Sequence, residues 1–157
     1  MNRPNRIRHR QTLSVKQIRR SADQRRSHGR TTQASIHVLF VARLRSFRDA
    51  VAYFTRLLGY TVRTADSVAS ALIVLRRTPV DIVVVEEEQD VPVLLMTLHA
   101  QGRSEVLVIV IALVMTTEDA ARWSTMGLFH CIPKPFDLRT YRHALAHATT
   151  EIHARRK

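Results

Sequence analysis

Residues 81–86, DIVVVE, restrict the possible folds of this chain more than any other segment. Three consecutive valines favour an extended backbone, and four apolar residues in a row leave no polar face for water. Such a strand belongs in the middle of a parallel sheet covered on both sides. Glu86 then stands at its carboxyl end, the edge where open α/β sheets place their chemistry. Similar runs recur at 36–41 (IHVLFV) and 106–111 (VLVIVI), with shorter pieces at 60–64 and 129–132.

Between these strands the apolar spacing becomes helical. Residues 48–58 put Val51, Phe54, Leu57 and Leu58 on one face and end at Gly59. Asp66 or Ser67 can cap a second helix, which carries Val68, Ala71, Leu72 and Leu75 and closes at Pro79. Residues 91–100 make a third, stopped by Gly102. Thr117, followed by Glu118 and Asp119, opens a fourth that runs to Met126, with Gly127 beyond it. Asp137 caps a last helix from Leu138 to about Ala154, with Tyr141, Leu145, Ala148 and Ile152 turned inward. Five strands alternating with five helices predict a doubly wound α/β fold with a parallel sheet.

Charge divides the chain. Its net +12 is not spread evenly: residues 1–35 hold ten Lys/Arg and one acid, Asp23, whereas residues 36–157 hold fifteen against twelve. The first part reads as a basic, mobile tail with too little apolar surface to offset its ordering, and the second as the folded body. Arg3, Arg6, Arg8, Arg10, Arg19, Arg20, Arg25 and Arg26 are candidate contacts for phosphates or for an acidic partner. The tail has no Phe, Tyr or Trp for base stacking and is too short for a DNA-reading module, so weak, non-specific binding is expected. Cys131, the only cysteine, leaves no intrachain disulfide to form. The longest apolar run, 106–115, is half a membrane span, and the arginine-rich start has no apolar signal region, so a cytoplasmic protein is expected.

IHVLFVA at 36–42, SVASALIVL at 67–75, DIVVVE at 81–86 and IPKPF at 132–136, with Gly127 seven residues before Lys134, together resemble the response-regulator receiver domain. The resemblance covers residues 36 to about 155. It implies a CheY-like, flavodoxin-like five-stranded sheet in the order 2-1-3-4-5. The family phosphorylates an aspartate at the end of the third strand, where this chain has Glu86. It binds magnesium through an acidic pair after the first strand, where Ala42 and Arg43 stand. Its hydroxyl residue closing the fourth strand falls on Ala112, and its aromatic reporter on the fifth falls on Cys131. Lys134 and Pro135 match the family's Lys-Pro pair, whose bond is typically cis. The similarity is therefore to degenerate pseudo-receivers, which signal by binding partners.

Phosphoryl transfer to a carboxylate needs a nucleophile, a divalent cation and charge stabilisation. Alanine offers a hard cation no side-chain oxygen, an arginine repels it, and Glu86 is one methylene longer than aspartate. No cofactor, metal or catalytic residue is expected. Glu86, Glu87, Glu88 and Asp90 form an acidic edge, but Arg43 opposes a cation there, and His143 with His147 lacks a third ligand. Glu86 and Lys134 are expected to pair across the sheet edge, either as a substitute for the phosphoryl–lysine contact or as two charges that merely satisfy each other. The resemblance places the partner surface on the 117–155 face, where Arg122, Trp123, Arg139, Tyr141 and Arg142 are candidate anchors. The expected function is a phosphorylation-independent signalling and interaction module, with a homodimer as one form. Alternatives are a nucleic-acid-associated regulator whose body only dimerises, or a phosphoreceiver with relocated acids.

Overall fold

The computed structural model describes residues 34–87 and 89–157. The basic tail and its arginines, from Arg3 to Arg26, lie outside the described residues, as does Glu88.

Five strands alternate with five helices. The strands are β1 (His37–Val41), β2 (Thr61–Ala65), β3 (Ile82–Glu86), β4 (Leu107–Ala112) and β5 (Leu128–Pro133). The helices are α1 (Arg45–Leu57), α2 (Val68–Arg77), α3 (Val91–Ala100), α4 (Thr117–Thr125) and α5 (Leu138–Arg155). All four neighbouring strand pairs are parallel, and the order is β2-β1-β3-β4-β5.

The central strands explain the sheet. Every residue of β3 and of β4 is buried. Side chains of successive residues leave opposite faces, so each strand feeds two cores. Val38, Phe40, Ile82, Val84, Ile109 and Ile111 pack with Val51 of α1 and with Tyr141, Leu145 and Ile152 of α5. Leu39, Val41, Val83, Val85, Val108 and Val110 meet Ala71 and Leu75 of α2 and Leu94 and Leu98 of α3, with Trp123 of α4 against the same cluster. Burying aliphatic side chains of this size contributes about 1.5–3 kcal/mol each relative to leaving them exposed. This two-faced core fixes the strand register, because a slip by one residue would exchange the two faces.

Side-chain caps set the starts of α2 to α5. Ser67 accepts from the Ser70 amide at 3.2 Å, and Asp137 accepts from the Thr140 amide at 2.7 Å. Helix α4 opens at Thr117, as expected, and its cap is the preceding residue, Thr116, which accepts from Asp119 N at 3.0 Å. Gly127, at φ 101°, ends α4 in the left-handed region that side chains disfavour.

The amino end of β3 is tied down by Asp81, which accepts from His37 N at 2.8 Å and from Arg156 at 2.6 Å. The opposite, carboxyl end carries the candidate site.

Candidate functional site

The sheet changes direction between β1 and β3, since β2 lies on one side of β1 and β4 and β5 continue beyond β3. Chain segments leaving the carboxyl ends there diverge and open a crevice. Glu86 ends β3, Ala42 and Arg43 follow β1, Ala112 ends β4, and Lys134 follows β5.

Glu86 is 7% exposed, and its Oε2 accepts a hydrogen bond from Lys134 Nζ at 2.7 Å. The side chains of Lys134 and Glu86 are 22% and 10% exposed, so the ion pair is held largely out of water. Lys134 is aimed by its own backbone: its amide donates to Ala112 O at 2.7 Å, extending the β4–β5 ladder past Pro133. The Lys134–Pro135 peptide bond is cis.

Two other acids of this edge, Glu87 and Asp90, are committed to the backbone. Glu87 Oε1 accepts from Leu113 N at 2.6 Å, and Asp90 caps α3 by accepting from Val93 N at 3.2 Å. Among the described residues no group of three or more His, Cys, Asp or Glu side chains could hold a metal ion. Ala42 is fully buried and has no oxygen to offer from its side chain. Arg48, on the first turn of α1, donates to Ala42 O at 2.7 Å and to Arg43 O at 3.2 Å. A guanidinium thus sits on the loop that would have to receive a cation. The residues present do not fit the magnesium ion of receiver domains.

Cys131 is half-buried, and its thiol is pushed up from the ordinary value, first by desolvation and then by the Glu87 charge. It is a poor nucleophile there.

The expected partner face is only partly assembled. Arg122, Arg139 and Arg142 are exposed, with Arg122 held to Asp119 at 2.8 Å. Trp123 is half-buried against the core, and its Nε1 has no hydrogen-bond partner among the described residues. Tyr141 is not a surface anchor. It is completely buried, its hydroxyl 2.8 Å from Thr55 Oγ1, and desolvation pushes its pKa up to about 12. The helical spacing that turns Leu145, Ala148 and Ile152 inward applies to Tyr141 as well, and Thr55 supplies the polar partner that a buried phenol needs.

Two features have no clear sequence signal. Arg48 acts through backbone carbonyls, which no motif announces. His147 packs on Phe129 with ring centroids 5.0 Å apart and on His130 at 6.2 Å. His130 is held below its ordinary pKa by desolvation and by the neighbouring His147. These rings come together only because α5 lies along β5.

No family model and no curated protein sequence matches the chain. Solved structures do. The chemotaxis protein CheY4 of Vibrio cholerae is similar over 73% of this chain and 99% of its own, with 18% identity and a TM-score of 0.67. A CheY-like receiver domain protein from Methanospirillum hungatei is similar over 78% and 99%, at 15% identity and a TM-score of 0.71. NtrX from Brucella abortus, in complex with ADP, is 24% identical over 78% of this chain but only 28% of that protein, with a TM-score of 0.70. At these identities the likeness establishes the fold. Residues 35–157 have the architecture of a CheY-like receiver domain.

Proposed function

We propose that this chain is a degenerate receiver that works as a phosphorylation-independent signalling module, binding a protein partner rather than accepting a phosphoryl group. One observation carries the reading: Lys134, the residue that in receivers meets the phosphoryl group, instead donates to the protein's own Glu86 at 2.7 Å. The surroundings support it. Ala42 and Arg43 occupy the positions of the magnesium acids, and Ala112 occupies that of the hydroxyl residue. Without a cation or an aspartate, in-line transfer has neither its charge clamp nor a well-placed nucleophile. The module is then not an enzyme, and its output is contact. The exposed Arg122, Arg139 and Arg142 on α4 and α5 suit a partner surface with acidic groups, a second copy of the chain included.

The test is intact mass before and after incubation with acetyl phosphate and Mg²⁺. No gain is expected. A hydroxylamine-labile gain of one phosphoryl group would overturn the proposal and favour a phosphoreceiver with relocated acids.

A second reading rests on charge. Ten basic residues and one acid in residues 1–35 suit weak contact with nucleic acid phosphates. The receiver-like body would then serve mainly to bring tails together.

A further inference from the structure

Two lobes adjoin at the carboxyl edge of the sheet. One, of about 440 Å³, is lined by Leu44, Phe47, Leu113, Pro135 and Phe136, with Glu86 and Lys134 at its wall. The other, of about 520 Å³, is lined by Arg43, Leu44, Arg45 and Glu86. Leu44 and Glu86 belong to both, so the lobes form one cleft with an apolar half and a half bearing two guanidinium groups. Each volume falls within the roughly 300–1,000 Å³ of small-molecule sites.

The charges in the cleft do not cancel. Glu86 is already met by Lys134 at 2.7 Å, and it is the one acid among the described residues that line the two lobes. Arg45 lies 3.6 Å from Asp49, but their side chains are 86% and 62% exposed, so water screens that contact. Arg43 is exposed. Among the described residues the second lobe therefore carries excess positive charge. The apolar lobe has an equally clear need, since Leu44 and Leu113 are 64% and 63% exposed beside it.

We propose that this cleft binds a small amphipathic organic anion. Its apolar body lies against Leu44, Phe47, Leu113 and Phe136, and its acid group meets Arg43 and Arg45. Arginine's fork of donors suits a carboxylate, and covering leucines that water now touches adds apolar burial. An extended peptide fits less well. Four backbone groups beside the cleft already have partners: Leu113 N bonds Glu87, Lys134 N bonds Ala112 O, and the carbonyls of Ala42 and Arg43 accept from Arg48. The site is separate from the α4 and α5 partner face and does not depend on it.

The experiment titrates ¹⁵N-labelled full-length protein with decanoate, followed by amide shifts, with decanol as the neutral control. The amides of Leu44, Phe47, Glu86, Leu113, Lys134 and Phe136 are expected to shift saturably. Decanol should bind at least tenfold more weakly. Arg43→Glu with Arg45→Glu should weaken decanoate at least tenfold, as should Leu113→Asp, whereas Arg142→Glu on α5 should leave it unchanged. All substituted residues are exposed, so folded variants are expected, and their spectra report this directly. Shifts confined to residues 1–35, shifts that do not saturate, or equal binding of decanol would overturn the proposal. So would shifts at the cleft produced by an acidic leucine-containing peptide and not by decanoate.

Discussion

Removing the charge of Glu86 tests whether the ion pair across the sheet edge supports the fold. Glu86→Gln keeps the shape and one carbonyl acceptor but leaves the ammonium of Lys134 beside a neutral group. Lys134 is 22% exposed and Glu86 10%, so neither charge is fully solvated when its partner changes. Breaking a fully buried pair costs about 3–5 kcal/mol, whereas exposed pairs contribute about 0–1. The partial exposure of Lys134, and the hydrogen bond that glutamine can still accept, place Glu86→Gln between these, near 2 kcal/mol. Lys134→Met leaves the more buried carboxylate behind and is expected to cost somewhat more, about 2–3 kcal/mol. The double variant should recover about 1–2 kcal/mol of the summed losses, a coupling of the size contacting charged groups show. Urea unfolding of the four proteins, compared at a common slope, measures it. If the single losses add within about 0.3–0.5 kcal/mol, the two groups do not cooperate, and the account of Lys134 as held by an internal carboxylate fails.

Alkaline titration should expose the buried phenol. Tyr141 is raised from 10.0 to about 12, so the unfolded chain releases this proton first and stability falls between those pH values. A shift of this size corresponds to about 2–3 kcal/mol, and Tyr141→Phe should flatten the decline over that window in urea unfolding followed against pH. The Cys131 thiol, raised by burial and by Glu87, should react with a disulfide reagent at pH 8 at least about tenfold more slowly in the native protein than in denaturant. Equal rates would mean that it is accessible as thiolate. Full-length protein should bind duplex DNA weakly and with a steep inverse dependence on salt, whereas residues 36–157 should not, as read by fluorescence anisotropy. Salt-insensitive binding would remove the tail from the account.

Much of the architecture was legible because it rests on residues that admit few alternatives. A run of three valines between Ile82 and Glu86 has no place but a covered strand, and β3 is buried throughout. Spacing along the last helix is equally plain, yet at Tyr141 two signals compete, since residue type favours an interface while periodicity favours the core. Periodicity won. The apolar run continues from Val106 to Met115, but the strand predicted over 106–111 is found at Leu107–Ala112, where pairing with β5 ends, leaving Leu113 and Val114 exposed at 63% and 74%. Hydropathy along a chain does not say where the neighbouring strand stops. The Glu86–Lys134 contact followed from topology, whereas Arg48 could not be foreseen, since any carbonyl within reach would serve it.

Arg48 has a bearing on any attempt to install a cation site on this edge. Its hydrogen bonds to the carbonyls of Ala42 and Arg43 hold the β1–α1 loop with a charge of the same sign as a metal ion. Placing carboxylates at 42 and 43, and aspartate in place of Glu86, would therefore create an internal salt bridge with that guanidinium before creating a cation site, and divalent binding is expected only with Arg48 removed too. Installing phosphate chemistry on this edge thus runs through a further position, one that contributes nothing to the chemistry itself.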